Sequence, residues 1–114
     1  MDELDEFMEK LRKTRKLVIV EGKKDRAALE SIGVRKIIEL NKRPLYEVVE
    51  EVAKASKQAV ILTDLDRTGK LLFGKLNSAL SQHGVEVDNY FREFLFRHTK
   101  LTQIEGLPAY LEHK

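Results

Sequence analysis

The sequence predicts an α/β domain built on a small, mainly parallel sheet, and three observations carry that expectation. The runs "KLVIV" and "QAVILT" are short, continuous and rich in β-branched residues, as strands covered on both faces require. The segments between such runs repeat apolar residues at helical spacing. Strand-like and helix-like segments alternate along the chain, the order that parallel strands joined by right-handed crossovers produce.

Taken in order, Leu4, Phe7, Met8 and Leu11 recur at helical spacing among charges, so residues 2–13 read as an amphipathic helix docked on the domain or on a partner. "KLVIV" is the first strand and ends at Glu21-Gly22. "KKDRAALESIG" follows as a helix through Ala27, Ala28, Leu29 and Ile32, with Gly33 where a left-handed C-terminal cap is expected. "RKIIEL" is a second strand. Pro44 suits the first position of a helix whose apolar face is Leu45, Val48, Val49 and Val52. "QAVILT" is the third strand. The helix after it places Leu72, Leu76, Ala79 and Leu80 on one face and closes at Gly84. "VEV" reads as a short fourth strand, and Asp88 as the cap of a helix carrying Tyr90, Phe91, Phe94 and Leu95. The final "LTQIEGLPAYLEHK" carries no pattern that assigns it to an element.

With 114 residues the chain suits one compact domain, with residues 1–15 as a helix packed on a domain of residues 16–114. The 21 basic and 19 acidic side chains leave a formal charge of only +2, so a polyanionic partner must be argued from local clusters. The lack of cysteine excludes disulfides and thiolate metal sites, in keeping with a reducing cytoplasm. The acidic, amphipathic start is unlike a secretory leader, and no apolar run approaches a membrane span. A cytoplasmic protein without membrane contact is expected.

In an open parallel sheet, ligands gather beyond the carboxyl ends of the strands. The first strand ends at Glu21 and the third at Asp64 and Asp66. If those strands are neighbours, three carboxylates meet at one edge, a concentration that a hard divalent cation such as Mg²⁺ would relieve. Lys23, Lys24, Arg67 and Lys70 flank the acids as counter-charges for a phosphate. Gly22 and Gly69 would let backbone N–H groups approach an anion at the starts of the following helices. An isolated Asp-x-Asp is most often a turn with a helix N-cap, and a strand-end glutamate often pairs with a lysine. The joint pattern is more specific than either half. It differs from the Asp-x-Asp-Gly-Thr loop of haloacid-dehalogenase-type phosphatases, where Arg67 would be glycine and the loop follows the first strand. "RTGKL" lacks the remainder of a P-loop, and "VEGK" lacks the acidic pair of a receiver domain.

Together, "VIVEGKKDRAAL" and "ILTDLDRTGK" resemble the Toprim superfamily, the domain shared by topoisomerases, bacterial primases and several nucleases. Glu21, Gly22 and Asp25 match its Glu-Gly motif, and Asp64, Asp66 and Gly69 its Asp-x-Asp motif. The resemblance spans roughly residues 16–84. It implies a Toprim-like three-layer sandwich, with Asp64 and Asp66 holding Mg²⁺ (Mn²⁺ as the substitute) and Glu21 as a general acid/base or further ligand. The chain has no room for a topoisomerase's tyrosine domain or a primase's zinc domain. It looks most like the small stand-alone members, which are similar to the nucleases that mature 5S ribosomal RNA. Those carry a Val-Glu-containing segment late in the domain, which offers Glu105 in "KLTQIEGL" as a further site residue, the alternative being a plain helix start near Gly106-Leu107-Pro108. The function implied is Mg²⁺-dependent phosphodiester chemistry on nucleic acid, RNA favoured over DNA, as a small ribonuclease-like or RNA-processing protein. The alternatives are a non-catalytic metal- and nucleic-acid-binding module of a larger assembly, joined or self-associated through the N-terminal helix, and a small-molecule phosphatase. "RKTRK" (12–16), "NKR" (41–43) and "FRHTK" (96–100) are candidate contacts to a nucleic-acid backbone.

Overall fold

The computed structural model describes residues 2–113. Four parallel strands stand in the order β2-β1-β3-β4, where β1 is Leu17–Val20, β2 Ile37–Glu39, β3 Gln58–Ile61 and β4 Glu86–Val87. Val18 pairs with Ile37 on one side and Val60 on the other, and Ile19 with Ile38 and Ile61. The helices are α1 (Glu3–Lys13), α2 (Lys23–Ser31), α3 (Leu45–Ala55), α4 (Arg67–Gln82), α5 (Tyr90–His98) and α6 (Leu107–Glu112), with a 3₁₀ turn at Ile104–Gly106 before α6.

Strand alternation sends Val18, Val20, Val60 and Leu62 to one face of the sheet and Ile19, Ala59 and Ile61 to the other. The first set packs on Leu29 of α2, on Phe91, Phe94 and Leu95 of α5, and on Ile104 and Leu107. The second packs on Val48, Val49 and Val52 of α3 and on Leu76 and Leu80 of α4. Both faces are therefore covered, and the architecture is the three-layer α/β sandwich that the uninterrupted apolar runs require.

The N-terminal helix belongs to the first layer. Phe7 and Leu11 are fully buried, and the Phe7 ring stacks on Phe94 with centroids 4.5 Å apart. Of the two dockings open to its apolar face, the helix takes the domain. Asp2 caps it by accepting from the Asp5 N–H at 2.8 Å.

Local signals set most boundaries. Gly33 and Gly84 adopt φ of 98° and 77° after α2 and α4, the left-handed closures expected of them. Pro44 departs from expectation: with ψ of 133° it lies outside α3 as the N-cap, and the helix begins at Leu45. Asp88 also departs from expectation: the N-cap of α5 is Asn89, and Asp88 stands one residue earlier, accepting from the Tyr90 N–H at 3.0 Å. Among the described residues no helix is long and apolar enough to cross a membrane.

Candidate functional site

Parallel pairing of β1 with β3 brings the segments after both strands to one edge. Leu62 N–H donates to the Ile19 carbonyl at 2.8 Å, so Glu21 and Asp64 emerge side by side. The Asp64 N–H then donates to Glu21 Oε2 at 2.7 Å. The 3₁₀ turn closes over them: Ile104 N–H donates to Asp64 Oδ1 at 2.9 Å, and Leu65 N–H to the Thr102 carbonyl at 2.8 Å. Asp25, in the first turn of α2, accepts from the Gly22 N–H at 3.0 Å.

A cavity of ≈ 830 Å³ opens on this edge, and Glu21, Asp25, Asp64 and Glu105 all line it. Lys23, Lys24, Lys42 and Lys75 line it as well. Among the described residues none of these acids or lysines forms an ion pair within 4.0 Å, unlike Arg43 on the same lining, which is held by Glu51 at 2.7 Å. The acids raise one another's proton affinity. Burial, aided by repulsion from Asp64 and Asp66, pushes Glu21 up against the hydrogen bond from Asp64 N–H. Burial and the Asp64 charge raise Asp25 to about 6. Asp64 is raised by burial, with Asp66 and Glu105 adding to it and the Ile104 N–H opposing.

Beneath the loop lies Arg92, a residue the sequence reading did not single out. It is 8% exposed and donates to the Thr63 carbonyl, to Thr63 Oγ1 at 3.0 Å and to the Asp64 carbonyl at 2.8 Å. Phe73 of α4 lies under its guanidinium, 4.9 Å from Cζ to ring centroid. Its position gives the signal that could have found it: Arg92 follows Phe91 and sits three residues before Leu95, on the buried side of an aromatic helix.

Other expected site residues take different places. Asp66 N-caps α4, accepting from the Gly69 N–H at 2.8 Å, and neither it nor Arg67 lines the cavity. Lys70 lies over the exposed Phe96 ring, 5.2 Å from its centroid, in a separate groove. The N–H groups of Gly22 and Gly69 are both taken by aspartates, so neither glycine offers its N–H to an anion. Gly69 is required for another reason: a β-carbon there would lie 1.8 Å from the Asp64 carbonyl oxygen. Glu105, by contrast, does join the acids.

Among the described residues no three histidine or carboxylate side chains converge closely enough to ligate one ion directly. The donors nevertheless suit Mg²⁺, which binds through one or two carboxylates and keeps several waters. Glu21, Asp25 and Asp64 each spend one oxygen on a backbone N–H and retain the other, with no cation paired to either.

The comparisons with known proteins agree with this architecture. No family model matches the chain. It is 32% identical to the UPF0292 protein of Methanocaldococcus jannaschii, with 96% of each chain covered. The chain belongs to the UPF0292 family. The UPF0292 protein of Pyrococcus abyssi is 42% identical over 90 residues, 78% of this chain and 67% of that one. A solved structure, described as a putative protein from Aquifex aeolicus, superposes on this UPF0292 member with a TM-score of 0.84 at 30% identity, covering 92% of this chain and 98% of that one.

Proposed function

We propose that the protein carries out Mg²⁺-dependent phosphodiester chemistry on nucleic acid, RNA in preference to DNA, at the edge formed by Glu21 and Asp64. The observation that supports this most is the charge arrangement of a single cavity, where four carboxylates without ion pairs share a wall with four lysines without ion pairs. Acids alone would suit a metal and lysines alone an anion; side by side they suit a metal with a phosphate. The Toprim resemblance of the Glu21-Gly22 and Asp64-x-Asp66 motifs points the same way.

When bound, Mg²⁺ would polarise a phosphoryl oxygen and lower the pKa of a coordinated water. Asp64 would hold the ion, and Asp66, which spends Oδ1 on the Gly69 N–H, would add its negative charge. Glu21, its proton affinity raised by burial, is suited to take or return a proton at its free Oε1. Lys23 and Lys24, at the start of α2, would offset phosphate charge. Arg92 acts as a positioning residue, holding the Thr63 and Asp64 carbonyls so that the loop keeps its shape.

The test is incubation of purified protein with structured RNA and Mg²⁺ or Mn²⁺, beside Asp64→Asn and Glu21→Gln variants. Cleavage by wild type that falls at least ~100-fold in both variants is expected. No cleavage by wild type, with RNA binding kept, would indicate the non-catalytic binding module instead. Release of phosphate from a generic monoester without RNA affinity would indicate the phosphatase.

A further inference from the structure

Between β2 and α3 the chain reverses in a tight turn closed by the Arg43 N–H on the Leu40 carbonyl at 2.9 Å. Its two central residues, Asn41 and Lys42, both have positive φ, 47° and 61°. Asparagine tolerates this region, but lysine does not favour it, and glycine is the residue such a turn ordinarily takes second. The turn is tied to the site, because the Asn41 N–H donates to the Glu21 carbonyl at 2.9 Å and the Leu40 N–H to the Val20 carbonyl at 2.8 Å. A lysine is thus held in an unfavourable backbone conformation on the wall of the acid cavity, exposed and without an ion pair. Persistent strain of this kind is a mark of functional placement.

Residues of α4 line the same cavity. Thr68, Leu72 and Lys75 fall on one face of that helix and all line the cavity. Lys75 lies seven steps along the helix from Thr68, about 10 Å of rise. That length exceeds a single phosphate group, so this lining can face more than one phosphate of a strand.

The geometry points to Lys42 and Lys75 as contacts for backbone phosphates flanking the reacting one, so that the cavity takes an internal stretch of polynucleotide and selects against a small phosphate ester. This rests on the nucleic-acid reading above and assigns that site its substrate length. Arg43 is not part of it, since Glu47 and Glu51 hold its guanidinium.

Binding of a fluorescein-labelled RNA strand of about 12 nucleotides, followed by anisotropy across a salt series with Ca²⁺ in place of Mg²⁺ and with the strand's length checked afterwards, tests the assignment. Lys42→Gly and Lys75→Gln are each expected to lower the slope of log K against log salt by about 0.7 and to weaken binding about fivefold at 0.1 M salt. Lys54→Gln, on an exposed lysine of α3 that does not line the cavity, is expected to leave both unchanged. Lys42→Gly should also melt about 2–5 °C higher than wild type, because it relieves the left-handed lysine while it loses the ligand. Lys42→Asn, which tolerates the turn without the charge, should lose the same affinity. If wild type binds the strand and the cavity variants keep its slope, or Lys54→Gln loses as much as they do, the assignment is wrong while the nucleic-acid reading stands. If wild type binds no RNA, both fall.

Discussion

The guanidinium of Arg92 reaches from α5 under the sheet edge and donates to the Asp64 carbonyl at 2.8 Å, so the loop that carries the site's aspartate is held from below by a buried cation. Burial disfavours that charge, and the carboxylates of Glu21, Asp64 and Asp66 offset the penalty. The acids and the arginine therefore stabilise each other across the loop backbone. Arg92→Met should cost about 2–4 kcal/mol in urea unfolding, because the Thr63 and Asp64 carbonyls lose their donor in a buried place. Arg92→Lys should recover only part of this, since an ammonium cannot reproduce the fork. Equal stability of wild type and Arg92→Met would refute the role.

Gly69 and Gly22 make a contrasting pair. With a β-carbon at Gly69 falling 1.8 Å from the Asp64 carbonyl oxygen, Gly69→Ala must push α4 away from the loop, at a cost of about 3 kcal/mol. At Gly22, the N-cap of α2, nothing lies closer than Asp25 Oδ2 at 4.0 Å and φ is −152°, so Gly22→Ala should cost only the loss of a favoured cap residue, about 0.5–1 kcal/mol. Thermal melting of both variants checks the contrast.

The Asp25 carboxyl makes stability depend on pH. Its proton is held up to about pH 6 in the folded protein, against an ordinary value of 3.8, so the folded state binds more protons between those limits. Stability from this group is complete below about pH 3.8, declines as pH rises through 6, and is level above. Asp25→Asn can keep the Gly22 hydrogen bond through its side-chain oxygen without the charge. It should be more stable than wild type by about 1–2 kcal/mol at pH 7.5 in the absence of divalent ions, and the gap should close near pH 4. A gap independent of pH would show that the charge is not its cause.

Phe7 ties the N-terminal helix to the domain. It is fully buried, stacked on Phe94 and edge-on to Phe91 at 5.8 Å. Phe7→Ala should cost about 3–5 kcal/mol, a large part of the stability of a domain this size. Chemical denaturation with tryptophan-free detection, such as far-ultraviolet circular dichroism, measures it. A cost below about 1 kcal/mol would mean that the helix is an appendage.

Much of the fold was legible because its signals are local. Apolar runs at 16–20 and 58–63, helical spacing from Leu45 to Val52, and Gly33 and Gly84 as closures each state a backbone preference within a few residues. The exception at Pro44 is local too: its fixed φ suits either the cap or the first helical turn, and its ψ decided for the cap. Glu21, Asp25, Asp64 and Glu105 were legible as candidates because strand ends and the resemblance to Toprim domains single them out, and all four line one cavity. Lys70 lies away from the cavity for a geometric reason. The direction of a side chain around a helix axis depends on how the helix is rotated on the sheet, and the rotation of α4 turns Lys70 to Phe96.

By itself the sequence determined an α/β chain with strands covered on both faces, the positions of its strand ends, and a set of acids and cations concentrated there. Those follow from periodicity and residue chemistry, which need no knowledge of distant neighbours. Only the tertiary structure decided that Glu21 accepts from the Asp64 N–H, that Arg92 lies beneath them, that Gly69 exists to let α4 approach, and that Lys42 is held left-handed at the cavity wall. Each of these is a contact between residues far apart in sequence or a backbone angle imposed by such contacts, and close packing of the layers, rather than any local preference, selects them.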